Sequence, residues 1–143
     1  WATVVNERLK RLGLGERGRV VCEDARLALP RLGPNGSVKR VFIHFPDPWW
    51  KQRHQKRLVV VDALVTEIAR LLEVGGEVLL QTDVPERAEQ YDRRLDGHAE
   101  LAPAGDEPGS SRLGLNPYEG RSNRERRADL DGLPVYRLRY RRV

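Results

Sequence analysis

The sequence predicts an α/β fold: a mostly parallel sheet, with an antiparallel strand at its C-terminal edge. Three observations carry that prediction. Val38 to Phe45 is a near-continuous β-branched and aromatic run, the mark of a strand covered on both faces. Arg57 to Glu73 repeats apolar residues at spacings of three and four before a second apolar run, Glu77 to Thr82, and strand, helix, strand is the pattern of a parallel βαβ unit. Val135 to Val143 sets Tyr136, Leu138 and Tyr140 against Arg137, Arg139 and Arg141, the alternation of a half-buried edge strand.

The elements follow in order. The chain opens on Trp1 rather than Met, with Val4, Val5, Leu9 and Leu12 at helical spacing, so a preceding segment is expected. Residues 3–12 read as the end of an amphipathic helix closed by Gly13 and Gly15. Arg19 to Glu23 reads as a short strand, with Cys22 a small core residue, and Ala25 to Leu32 as one or two helical turns. Pro34-Asn35-Gly36 is a turn. After the strand at Val38 to Phe45, Pro46 and Pro48 hold Asp47 in a rigid loop.

The helix from Arg57 to Glu73 buries Leu58, Val61, Val65, Ile68 and Leu72, and Gly75-Gly76 should end it. Pro85 suits the first turn of the next helix, which runs to about Leu95 with Ala88 and Tyr91 inward. Residues 96–117 read mostly as loop, with a short strand near Ala99 to Ala102, and Asn123 to Asp131 as a short helix. No internal repeat or second domain is evident, so residues 1–143 are expected to form one domain.

At 143 residues, 39% hydrophobic and 33% charged, the chain can bury a real core. No apolar run approaches the roughly 18–20 residues of a membrane span, and nothing at the start reads as a secretory signal. The single Cys22 forms no intrachain disulfide and suits a reducing cytoplasm. The net charge of +5 is unevenly placed: residues 51–57 carry +4 and residues 121–143 carry +5, leaving the rest at −4. Two basic concentrations on an otherwise acidic chain fit a polyanion, and nucleic acid is the leading partner class.

Three acids, Asp24, Asp47 and Asp83, each follow an apolar strand, where open α/β sheets place ligands. No zinc spacing, P-loop or serine elbow occurs, so metal hydrolysis, NTP hydrolysis and acyl transfer lack support. Residues 45–57 (FPDPWWKQRHQKR) combine a rigid acid, two tryptophans and a cationic cluster, the parts needed to hold a base by its edge, stack on its face and bind phosphates.

That stretch resembles the FPDPW-x-K-x-R-H-x-K-R signature of the bacterial tRNA (guanine-N7)-methyltransferases. Cys22-Glu23-Asp24-Ala25 is similar to the family's D-A after its third strand, and Gln81-Thr82-Asp83 to its T-D after the fifth. Ser122-Asn123-Arg124-Glu125, with Gly132 and Pro134-Val135-Tyr136 beyond, resembles its T-x-[FY]-E and G-x-P-[IV]-Y segments. Trp50 stands where the family often has Pro, and Ser122 and Arg124 replace the Thr and the aromatic of the substrate segment.

The resemblance implies a Rossmann-like class I methyltransferase fold and methyl transfer from S-adenosyl-L-methionine to N7 of the guanine at position 46 of tRNA. It implies that Asp24 and Asp47 contact the cofactor, that Asp47 is the catalytic residue, and that Lys51, Asp83, Ser122, Asn123, Arg124 and Glu125 bind substrate. Arg53, Lys56 and Arg57 are phosphate contacts, and no metal is expected. The family's glycine-rich loop and its ribose-binding acid would precede Trp1. A cytoplasmic monomer or homodimer is expected. The competing reading is a non-catalytic RNA-binding protein that keeps the fold.

Overall fold

The computed structural model describes residues 1–46 and 58–143. Among these residues the strands are β1 (Val38–His44), β2 (Leu72–Thr82), β3 (Leu101–Pro103), β4 (Arg112–Leu113) and β5 (Tyr136–Arg142). The helices are α1 (Ala2–Arg11), α2 (Ala25–Ala28), α3 (Asp62–Leu71), α4 (Pro85–Asp96) and α5 (Asn123–Leu130). The sheet runs β1-β2-β5-β3, with β4 beside β3 on the far edge of β5.

β1 and β2 pair in parallel across α3, as the βαβ pattern requires, and the other pairs are antiparallel. The sheet is therefore mixed rather than mostly parallel. β5 is antiparallel as expected but lies inside the sheet, not at its edge.

The register sorts the side chains onto two faces. Val41, Val78 and Tyr140 form one row and Ile43, Leu80 and Leu138 the next, on the face covered by α3 and α4. Leu64, Val65, Ile68 and Ala69 of α3 and Tyr91 and Leu95 of α4 complete that core. Leu80 is fully buried in the middle of it. Leu80→Ala should cost about 2–5 kcal/mol through lost burial and an unfilled cavity, read as a lowered urea midpoint at unchanged slope.

The other face carries the rows Arg40, Glu77, Arg141, then Phe42, Leu79, Arg139, and last His44, Gln81, Arg137. Phe42 keeps 44% of its surface exposed, so β1 is not covered on both faces as its apolar run suggests. The Tyr118 ring meets Phe42 edge-on at 5.0 Å. Burial works against the Glu77 carboxylate, but hydrogen bonds from Tyr118 and Arg141 outweigh it and hold the pKa below its ordinary value.

Several boundaries differ from the sequence reading, each for a physical reason. α3 begins at Asp62, because Val59-Val60-Val61 is a β-branched run that resists helix. Gly75 and Gly76 do not cap that helix. They lie in an excursion of β2: Val38 pairs with Leu72 and Arg40 already with Glu77. Gly75 has φ +82, and a Cβ on Gly76 would stand 2.8 Å from the Glu73 carbonyl oxygen, so glycine is required there. The loop over 96–117 contains β3 and β4, both paired to β5.

No strand forms at Arg19 to Glu23. A ladder needs a partner along the strand, and here the N–H and C=O of Val20 are taken instead by the side-chain amide of Asn6, each at 2.8 Å. Val21 is exposed, and so is Cys22, which is not a core residue. α1 buries none of its residues. No helix among the described residues is long and apolar enough to cross a membrane.

Candidate functional site

The carboxyl ends of β1 and β2 lie side by side, and the sequence-predicted acids fall differently around them. β1 ends at His44, after which the Phe45 N–H still bonds the Gln81 carbonyl at 2.8 Å. Phe45 then turns at φ +48, a left-handed conformation costly for an aromatic residue. It is doubly so before a proline, which favours extended backbone. Asp47 follows, and Asp47, Lys51, Arg53, Lys56 and Arg57 lie outside the described residues.

Asp83 stands directly after β2, with its side chain 18% exposed and paired to the guanidinium of Arg124. Arg124 belongs to the first turn of α5, whose N-cap is Ser122: the Ser122 hydroxyl accepts from the Glu125 N–H at 3.1 Å. The substrate segment read from the sequence is thus a capped helix start held against the end of β2. Asn123 and Arg124 are exposed on it.

Glu125 is fully buried. Its Oε1 accepts from Arg137 Nη2 at 3.1 Å and Gln81 Nε2 at 3.0 Å, and its Oε2 from Asn116 Nδ2 at 3.1 Å. Burial alone would raise its pKa, but the hydrogen bonds from Arg137, Asn116 and Gln81, with the charge of Arg137, outweigh burial and hold it lowered. Such a carboxylate stabilises the fold fully above its ordinary value of 4.5 and loses that contribution as pH falls through its lower folded value. Glu125→Gln should be less stable than wild type at neutral pH. Because it lacks this titration, the two urea-unfolding curves should converge as pH drops below 4.5.

Asp24 does not follow a strand. It is the N-cap of α2, accepting from the Arg26 N–H at 2.9 Å and the Arg26 Nη2 at 2.5 Å. These bonds lower its pKa to about 2. Arg26 also reaches the Leu58 carbonyl at 3.4 Å, which ties α2 to the chain just beyond residue 57. Asp24 makes no hydrogen bond to the Asp83, Arg124 and Glu125 group.

The structure thus joins Asp83, Ser122, Arg124 and Glu125, and sets Asp24 apart. It adds His44, Gln81, Asn116 and Arg137, which sequence reasoning missed. One signal was available: Gln81 is a polar residue inside an apolar strand run and is fully buried, which demands partners.

A mixed α/β sheet with functional groups gathered at adjacent strand ends is the architecture of the Rossmann-like class I methyltransferases. Among solved structures, the geranyl diphosphate C-methyltransferase of Streptomyces coelicolor, solved with S-adenosyl-L-homocysteine, superposes with a TM-score of 0.57 at 17% identity, over 99% of this chain and 61% of that one. Residues 4–138 match the family described as "Putative methyltransferase", and the chain belongs to that family.

The tRNA (guanine-N(7)-)-methyltransferase of Trichormus variabilis is 38% identical over 96% of this chain and 64% of its own length. That of Paramagnetospirillum magneticum is 46% identical over 59% of this chain and 35% of its own. The chain spans roughly a third to two thirds of the length of these curated relatives.

Proposed function

We propose that this chain is part of a cytoplasmic SAM-dependent tRNA (guanine-N7)-methyltransferase acting on the guanine at position 46 of tRNA, and that residues 1–143 contribute one methyltransferase domain. The observation that carries the reading is the convergence of the substrate segment on the strand end that leads into Asp47. The Ser122 to Glu125 turn is bonded to β2 through Asp83 and Gln81, and β2 is paired to β1 up to His44. The guanine-N7 activity for which these relatives are named supports it.

The chain's own groups fit S-adenosyl-L-methionine at its adenine end. Asp24 is ionised, with its side chain 34% exposed, and can accept from the exocyclic amine of adenine, sharing its oxygens with Arg26. When bound, the cofactor supplies a methyl group already activated on a sulfonium.

N7 of guanine presents a lone pair and has no proton to remove, so the protein's work is positioning and charge stabilisation. Asp47 accepts hydrogen bonds from the N1 and N2 donors of an extruded guanine, which selects guanine over adenine and favours the positive charge that develops on the base. Lys51, Arg53, Lys56 and Arg57 meet the phosphates around it. Asn123 and Arg124 are exposed for contact with the tRNA, Asp83 orients Arg124, and Glu125 holds the turn from within.

The test is transfer of labelled methyl from the cofactor to an unmodified tRNA transcript and to one with adenine at the target. The native-length protein and the 143-residue chain are assayed side by side. Label on the guanine transcript alone supports the reading. Tight tRNA binding without transfer by either protein would favour the non-catalytic alternative.

A further inference from the structure

We infer that His44 and Gln81 are positioning residues that lock the substrate turn of α5 onto the end of β1, a role resting on the methyl-transfer reading above. Gln81 is fully buried, and its Nε2 donates to Glu125 Oε1 at 3.0 Å. A carboxylate only accepts, so the amide orientation of Gln81 is fixed and its Oε1 faces His44. His44 Nδ1 lies 2.7 Å from that oxygen. The Gln81 oxygen can only accept, so Nδ1 carries the proton and donates.

The result is one directed line of hydrogen bonds: His44 to Gln81, and Gln81 to Glu125. Arg137 and Asn116 bond the same carboxylate. The line begins on the last residue of β1, three residues before Asp47, and ends inside the first turn of α5, one residue after Arg124. The end of β1, which leads into Asp47, and the substrate turn of α5 are thereby set relative to one another. The Phe42 ring stacks on the His44 ring at a centroid distance of 5.8 Å and holds its plane. Lost register between two contact segments lowers the use of the macromolecular substrate, while Asp24, which caps α2 and makes no hydrogen bond to this line, keeps its place for the cofactor.

The experiment uses the native-length protein and three variants. His44→Ala removes the donor, His44→Asn restores a donor at nearly the same place, and Gln81→Met breaks the line at its buried centre. Because His44 is exposed, His44→Ala should fold even if Gln81→Met does not. Expected are a fall of about tenfold in kcat/KM for tRNA in His44→Ala, return to within about threefold in His44→Asn, and cofactor affinity within about twofold throughout.

Amide hydrogen exchange over residues 114–126 gives a readout independent of activity: faster in His44→Ala, restored in His44→Asn. Wild-type rates and exchange in His44→Ala would overturn the inference. So would equal defects in His44→Asn and His44→Ala. If the wild type itself transfers no methyl group, the functional reading fails, and the exchange result alone decides whether the lock exists.

Discussion

Asp47→Asn should lose about two to three orders of magnitude in kcat/KM for tRNA while the protein stays folded and binds the cofactor. The magnitude is that of removing one preorganised electrostatic contact from a charge-developing reaction. A carboxylate offers acceptors to both the N1 and N2 donors of guanine. The asparagine amide offers one acceptor and sets an N–H against the other donor, so one hydrogen bond becomes a clash of donors.

The charge is lost as well, at the moment the base becomes positive. A transcript with inosine at the target lacks the N2 amine and should lose part of the wild-type advantage but little of the variant's residual rate. Near wild-type turnover by Asp47→Asn would remove Asp47 from the chemistry.

Arg137→Met should be the most destabilising single change at the site, by about 3–5 kcal/mol. Arg137 and Glu125 form a buried pair, their side chains 9% and 0% exposed. Breaking such a pair from one side leaves an uncompensated charge in the interior. Gln81 and Asn116 still donate to Glu125, but two neutral donors do not replace a guanidinium. Arg137 also bonds the carbonyls of Gly114 and Val135, so the segment covering this face of the sheet loosens with it.

The double variant Arg137→Met/Glu125→Leu removes both charges and should recover much of the loss, because an apolar pair of similar volume is often as stable as a buried ion pair. Urea midpoints of the four proteins of that cycle give the coupling directly. A single variant as stable as wild type would show that the carboxylate reaches water or is protonated.

The parts of the fold legible in the sequence were those whose pattern is local. α4 was readable because Pro85 sits at its first turn and Ala88 and Tyr91 face inward. α5 was readable as a short helix over Asn123 to Asp131, and the structure starts it at Asn123 with the Ser122 hydroxyl accepting from the Glu125 N–H. What failed depended on partners elsewhere in the chain. Arg19 to Glu23 has the composition of a strand, but strands exist only in ladders, and Asn6 holds Val20 instead.

β5 read as an edge because Arg137, Arg139 and Arg141 alternate with apolar residues. The pattern cannot tell a solvated arginine from one whose charge is matched inside the protein, as Arg137 is by Glu125 twelve residues away. The same limit hid the site's scaffold. Asp83 and the Ser122 to Glu125 segment were identified by motif, whereas His44 and Gln81 acquire meaning only when parallel pairing sets them side by side.

The interior place of β5 bears on how the protein comes into being. β2 and β3 are synthesised before β5, yet neither can pair with the other, since β5 lies between them. Glu77 waits for Arg141, 64 residues later. Contacts so distant in sequence slow folding. Until they close, Val78 and Leu80 belong to an open strand edge of the kind that recruits other chains. A nascent polypeptide stalled before residue 136 is therefore a candidate for chaperones, whatever chemistry its finished form performs. The strand that joins β2 to β3 decides when the molecule becomes safe from aggregation.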